Sequence, residues 1–251
     1  MSQMRLEGKV AIVTGAAGGF GSEIGRIFAR EGASLVLADI NYNAAESLAN
    51  ELKAQGTKTV AVSVDVGDEK QVYAMVDRAM SEFGQVDILI NNAGMGRGAR
   101  IQDITLDDWN QLLRLNLTGT FLCCKAVIDH MIARGYGKIV NMASICGQTA
   151  RPVGVDYSAS KSGIIGITRT LALQVAPYGI NVNAVAPGPV ATQIFERNWP
   201  KETVEKLKST IPFKREGTPR DIANAALFLS SDEAGWITGE VIAVNGGAFI
   251  G

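Results

Sequence analysis

The run Val10-Ala11-Ile12-Val13 leads without a break into Thr14-Gly15-Ala16-Ala17-Gly18-Gly19-Phe20-Gly21. An apolar, β-branched run of this kind reads as a strand buried on both faces, the mark of a parallel sheet. The glycines predict a tight turn, and the stretch from Ser22 to Arg30 predicts a helix after it. Strand, glycine turn and helix in that order bring the backbone close to a pyrophosphate, at a helix end with free N–H groups and a positive dipole. The spacing is Thr14-Gly15-x-x-x-Gly19-x-Gly21. The fingerprint G-x-G-x-x-G is not met, because Ile24 fills its last glycine position.

The alternation continues along the chain. Strands are expected at about 9–14, 34–39, 58–62, 86–90, 137–142, 180–185 and 240–244, with helices such as Asn43 to Ala54, Glu69 to Phe83 and Ser158 to Ala176 between them. This rhythm predicts an α/β fold: a doubly wound parallel sheet of about seven strands, Rossmann-type, with helices on both faces. The 251 residues are 47% hydrophobic, enough for a sizeable core, and contain no Ser/Gly linker or internal repeat. One domain over 1–251 is therefore expected. The segment Ala191 to Arg215 breaks the rhythm; it is rich in Lys and Glu and bounded by Pro187, Pro189 and Pro212. An insertion of this sort before the last strand predicts a substrate lid over 191–215.

Lys and Arg total 24 against 25 for Asp and Glu, so no global charge draws the chain to nucleic acid or an anionic membrane. Neither a signal-peptide core nor a bilayer-length apolar run is present, which makes the cytoplasm the expected location. Cys123, Cys124 and Cys146 form neither a disulfide framework nor a metal-ligand spacing, and no metal is expected. Cys123 and Cys124 read as core. His130, the only histidine, has no acid or nucleophile near it in sequence and reads as a surface helix residue, which argues against metal and Ser-His-Asp hydrolases.

The chemistry concentrates elsewhere. Tyr157 and Lys161 are four apart and so share a helix face, with Ser144 upstream. A phenol ionises near pH ~10, and a neighbouring cation favours the phenolate, so this pair is expected to act as a base. The Ser144 hydroxyl is placed to hold a substrate oxygen. Asp39 ends the second strand about twenty residues past the glycine turn, where a ribose diol acceptor belongs. A carboxylate there repels a 2′-phosphate, and Ile40, Asn41 and Tyr42 after it are not basic, so NAD is favoured over NADP. Asp65, followed by Val66, ends the third strand, where it is expected to meet the adenine; Asn91-Asn92-Ala93-Gly94 follows the fourth.

On these residues the chain resembles the short-chain dehydrogenase/reductase family. The match runs from Gly8-Lys9-Val10 to Asn245-Gly246-Gly247 and includes Thr14, Gly15, Gly19 and Gly21, Asn91 to Gly94, Asn116, Ser144, Tyr157 with Lys161, and Pro187, Gly188 and Thr192. The resemblance implies that Gly15, Gly19, Phe20, Gly21, Asp39, Asp65, Val66, Asn92, Ala93 and Gly94 bind the cofactor, with Tyr157, Lys161, Pro187, Gly188, Val190 and Thr192 around its nicotinamide end. It also implies that Tyr157 is the general acid/base. Lys161 would lower the Tyr157 pKa and bind the ribose, Ser144 would stabilise charge on the substrate oxygen, and Asn116 would hold a water through its local backbone. A homotetramer is implied as well, and the apolar tail Ala248-Phe249-Ile250 suggests a covered C-terminus.

The substrate is a small molecule. Its pocket is expected from Ile145, Cys146, Val153, Phe195 and Trp199, with Val155 close by and Gln148 and Arg151 as polar options. That set favours an apolar cyclic or aromatic secondary alcohol or its ketone. Two other readings stand beside it. A 3-oxoacyl-(acyl-carrier-protein) reductase fits the overall pattern, but Asp129 and Leu173 stand where such enzymes carry basic residues. A non-catalytic nucleotide sensor is disfavoured by the intact Ser144, Tyr157 and Lys161.

Overall fold

The computed structural model describes residues 4–96, 98–190, 202, 209 and 211–250. Seven strands form one sheet: β1 Val10–Thr14, β2 Ser34–Asp39, β3 Thr59–Ser63, β4 Ile88–Asn91, β5 Gly137–Met142, β6 Ile180–Pro187 and β7 Val241–Val244. They lie in the order β3-β2-β1-β4-β5-β6-β7, and every neighbouring pair is parallel. The strand order reverses between β1 and β4, and a crevice outside the strand carboxyl ends is the expected ligand site at such a point.

Helices cover both faces. They are α1 Gly19–Arg30, α2 Tyr42–Ala54, α3 Glu69–Phe83, α4 Leu106–Leu113, α5 Gly119–Arg134, α6 Val155–Val175 and α7 Pro219–Ser230. Alternate strand residues serve opposite layers. Ala11, Val13, Ile88 and Ile90 pack with Ile24 and Phe28 of α1 and Ile222 and Leu227 of α7. Ile12 and Leu89, one residue out of phase, pack on the other face with Val72 and Met75 of α3, Leu122 and Val127 of α5, and Val175 of α6. Cys123 and Cys124 are buried in this second layer, as expected, and burial pushes the Cys124 thiol up to about 12.

The expected elements shift by one to three residues. Helix α1 begins at Gly19 rather than Ser22 and α6 at Val155 rather than Ser158, because glycine and turn-forming residues mask a helix start that tertiary packing supports. Strand β4 begins at Ile88, after Asp87, whose carboxylate accepts the Val10 N–H at 2.7 Å and whose own N–H donates to the Val10 carbonyl. His130 lies on α5 and is half-buried. Between α4 and α5, Arg114–Thr118 makes a π-helical turn that contains Asn116. Most of 191–215, including Thr192, Phe195 and Trp199, lies outside the described residues. Among the described residues no helix is long and apolar enough to cross a membrane.

Candidate active site

Thr14 ends β1 and organises the loop after β4. Its hydroxyl donates to the Ile90 carbonyl and accepts the N–H groups of Asn92 and Ala93 at 3.0 and 3.1 Å. Asn92 returns two bonds to the Thr14 and Gly15 carbonyls. Gly15 sits at φ +63°, and a Cβ there would lie 2.8 Å from the Ala93 Cα; at Gly21 it would lie 2.1 Å from the Gly15 carbonyl. Only glycine lets the turn, the β4 loop and the start of α1 close on one another. Helices α2, α3, α4 and α7 have side-chain N-caps, from Asn41, Asp68, Thr105 and Thr218. Helix α1 follows Gly18 and has none, so no side-chain cap takes up its first N–H groups.

This turn forms one end of a cavity of about 650 Å³ along the carboxyl edge of the sheet. Asp39 lines it, and its two oxygens accept the N–H groups of Ala17 and Asn41, both at 2.9 Å. Val64, Asp65 and Val66 continue the wall. The Asp65 carboxylate accepts from Arg114 at 2.7 Å and from the Gly67 N–H at 2.9 Å, and the guanidinium holds it below the usual carboxylate range.

The other end gathers Ser144, Ile145, Cys146, Val153, Tyr157, Lys161, Pro187, Gly188 and Val190. The short helix Ile145–Gly147 is bound to α6 by the Ser158 hydroxyl on the Cys146 carbonyl and the Ser162 hydroxyl on the Gly147 carbonyl, at 2.6 and 3.1 Å. A Cβ at Gly147 would meet the Lys161 backbone at 2.7 Å, so this close seating brings Ser144 to the Tyr157 face. The Ser144 hydroxyl accepts the Cys146 N–H at 3.1 Å and acts on the Tyr157 phenol, opposing the rise that burial imposes on its pKa. Asn116 is fully buried: its side chain accepts the Met95 N–H at 2.9 Å and donates to the Met95 carbonyl and Ser160 hydroxyl at 2.8 and 3.1 Å.

Burial pushes the Tyr157 phenol up to about 12, with Cys146 adding to the rise and Ser144 opposing it. The Lys161 Nζ stands 5.7 Å from the ring centroid and donates to the Met142 carbonyl at 2.7 Å. Burial pulls the lysine itself down to about 8.

The profile of the family described as Enoyl-(Acyl carrier protein) reductase matches residues 15–248. A 3-oxoacyl-(acyl-carrier-protein) reductase FabG of Thermotoga maritima is 39% identical over 98% of this chain and 100% of its own. The chain belongs to the short-chain dehydrogenase/reductase family. D-threitol dehydrogenase of Mycolicibacterium smegmatis is 41% identical over 97% of this chain and 94% of its own. The solved 7 alpha-hydroxysteroid dehydrogenase, in complex with NADH and 7-oxo glycochenodeoxycholic acid, superposes with a TM-score of 0.94 at 36% identity, over 98% of this chain and 96% of the other. As a short-chain dehydrogenase/reductase, this chain is an oxidoreductase of the same fold.

Several residues of this family member escaped the sequence. Arg114, Gln111, Leu115, Ile40 and Asn41 line the cavity, and Arg114 pairs with Asp65 from 49 residues away. Their spacing carries no signal, since the sheet order alone brings β3 and the π-turn together. Gln148 and Val155 do not line the cavity, and Val155 is exposed. In the C-terminal tail, Ala248 and Phe249 pack on the cluster of Ala143, Ile145 and Ile164 within the same chain, while Ile250 is exposed.

Proposed function

We propose that this chain is an NAD-dependent dehydrogenase that interconverts a secondary alcohol and its ketone, with a cyclic or aromatic apolar body. The observation that carries this reading is one cavity with Asp39 at one end and Ser144, Tyr157 and Lys161 at the other. The residues fit a nicotinamide dinucleotide: a glycine turn too tight for side chains, an uncapped helix start and a strand-end carboxylate. NAD(H) bound there would exchange a hydride with the carbon that bears the substrate oxygen. Gly15, Gly19, Phe20 and Gly21 would hold the pyrophosphate and Asp39 the adenosine ribose. Of the three basic residues that line the cavity among the described residues, Arg114 is engaged by Asp65 and the others stand with the Ser144 end, so a 2′-phosphate beside Asp39 would meet a carboxylate and none of these cations.

Tyr157 gives its proton to the substrate oxygen in reduction and takes one in oxidation. Ser144 donates a hydrogen bond to that oxygen and stabilises the charge that develops there. Lys161 keeps a cation beside both and meets the ribose hydroxyls, while Asn116 fixes Met95 and Ser160 around them. Ile145, Cys146 and Val153 offer the substrate an apolar wall. NADH absorbance with a panel of ring, aryl, sugar and short linear alcohols and their ketones tests this. Ring and aryl compounds should have the highest kcat/KM, and faster turnover of polyols would overturn the substrate class.

The second reading is a 3-oxoacyl-(acyl-carrier-protein) reductase, favoured by the 39% identity to the Thermotoga maritima enzyme. Asp129 and Leu173 are both exposed, Leu173 at 80%, where an acidic carrier protein would be met by cations. Acyl thioesters in the same panel decide between the two.

A further inference from the structure

Among the described residues three cations line the cavity: Lys161, Arg114 and Arg151. Lys161 stands with Tyr157, and Arg114 is paired with Asp65 at 2.7 Å. Arg151 has no such engagement. It lies between the short helix Ile145–Gly147 and α6, and lines the cavity together with Cys146, Pro152 and Val153. Its charge holds the Cys146 thiol lower than burial alone would, so the guanidinium acts on the reacting end of the cavity. Among the described residues its one hydrogen bond is from Nη2 to the Ala248 carbonyl, no carboxylate pairs with it, and its Nε is buried without an acceptor.

A guanidinium stays charged at any working pH. Held half-buried with no counter-ion among the described residues, it bears a desolvation cost that the Ala248 carbonyl offsets only in part. A neutral ketone would leave that cost standing. The planar fork matches a carboxylate, which can take two parallel N–H bonds. We propose that Arg151 binds a carboxylate carried by the substrate. The substrate is then an apolar hydroxy acid or oxo acid, with the reacting oxygen toward Ser144 and Tyr157 and the acid group toward Arg151. This rests on the secondary-alcohol reading above and narrows it.

The experiment has a kinetic and a binding arm. The kinetic arm compares 3-oxocyclohexanecarboxylate with its methyl ester, using NADH and the full-length enzyme. The wild type should favour the acid in kcat/KM by about tenfold or more. Arg151→Gln should bring the ratio close to one, and Arg151→Lys should keep part of it. The binding arm measures cyclohexanecarboxylate and cyclohexylmethanol by calorimetry on the NADH-loaded protein. Arg151→Gln should weaken the carboxylate selectively. If Arg151→Gln loosens the tail and fails to fold, Arg151→Lys and the salt dependence of the wild-type ratio still test the proposal. Ketone turnover with equal acid and ester rates would overturn the anion site and leave the alcohol reading intact. Arg151-dependent carboxylate binding without any ketone turnover would uphold the site and overturn that reading. A ratio unchanged in Arg151→Gln would make Arg151 a tie to the Ala248 tail and nothing more.

Discussion

Lys161 donates to the Met142 carbonyl at 2.7 Å and so ties α6 to the end of β5 with a buried cation with which no carboxylate among the described residues pairs. Its pKa falls from 10.5 to about 8 because burial disfavours the ammonium. The folded pKa lies below the unfolded one. Below about 8 both states hold the proton and the folded state bears the full penalty; between about 8 and 10.5 the unfolded chain binds more protons, so stability rises with pH. Lys161→Met should therefore raise the melting temperature of the ligand-free protein at pH ~7, and the gain should shrink by pH ~10. Thermal denaturation of both proteins across this range checks it. The same variant should lose NADH affinity, because its ammonium is the group proposed to meet the ribose.

Tyr157 has the opposite shift, up to about 12. Oxidation needs the phenolate, whose fraction grows about tenfold per pH step below that value. Alcohol oxidation should accelerate from neutral to alkaline pH, and ketone reduction, which needs the phenol, should not. Tyr157→Phe should keep NADH binding and lose about a hundredfold or more in turnover. Steady-state rates in both directions, with NADH fluorescence for binding, test the assignment. Most of the activity surviving in Tyr157→Phe would remove Tyr157 as the proton donor.

Asp39 accepts the Ala17 and Asn41 N–H groups and still faces the cavity. The wild type should prefer NAD over NADP by at least about tenfold in kcat/KM, roughly 1.4 kcal/mol. Asp39→Ala should narrow the gap mainly by improving use of NADP, since repulsion of the phosphate is relieved. It should also cost some thermal stability, because two N–H groups lose a charged acceptor. Equal use of both cofactors by the wild type would contradict the role given to this carboxylate.

The strands were legible because buried parallel strands are continuous apolar runs, such as Val10 to Val13 and Leu35 to Ala38. Ser144, Tyr157 and Lys161 were legible because their side chains have a joint chemistry at a helical spacing. The Thr14 hydroxyl as the organiser of the Asn92 loop was not, since its partners lie 78 and 79 residues away and meet only because β1 neighbours β4. The upward pull of burial on Tyr157 was not legible either, because sequence spacing does not report how deeply the phenol is buried.

Arg114 and Asp65 carry the last prediction. The guanidinium lies so close over Gly67 that a Cβ there would come within 2.4 Å of its Nη1, and the Gly67 N–H holds the second Asp65 oxygen. The pair thus fixes a carboxylate on the cavity wall past Asp39, where the adenine is expected. The side chains are 49% and 23% exposed, so the ion pair contributes little to stability. Its effect should appear in binding instead. Arg114→Ala should weaken AMP, a probe of the adenosine half alone, by about fivefold, roughly 1 kcal/mol, and raise KM for NAD with kcat nearly unchanged. Arg114→Lys should recover part of the loss, and Gly67→Val should mimic Arg114→Ala by displacing the guanidinium. Calorimetry with AMP on the cofactor-free protein separates this role from a structural one: unchanged AMP affinity with a lowered melting temperature would assign the pair to folding alone.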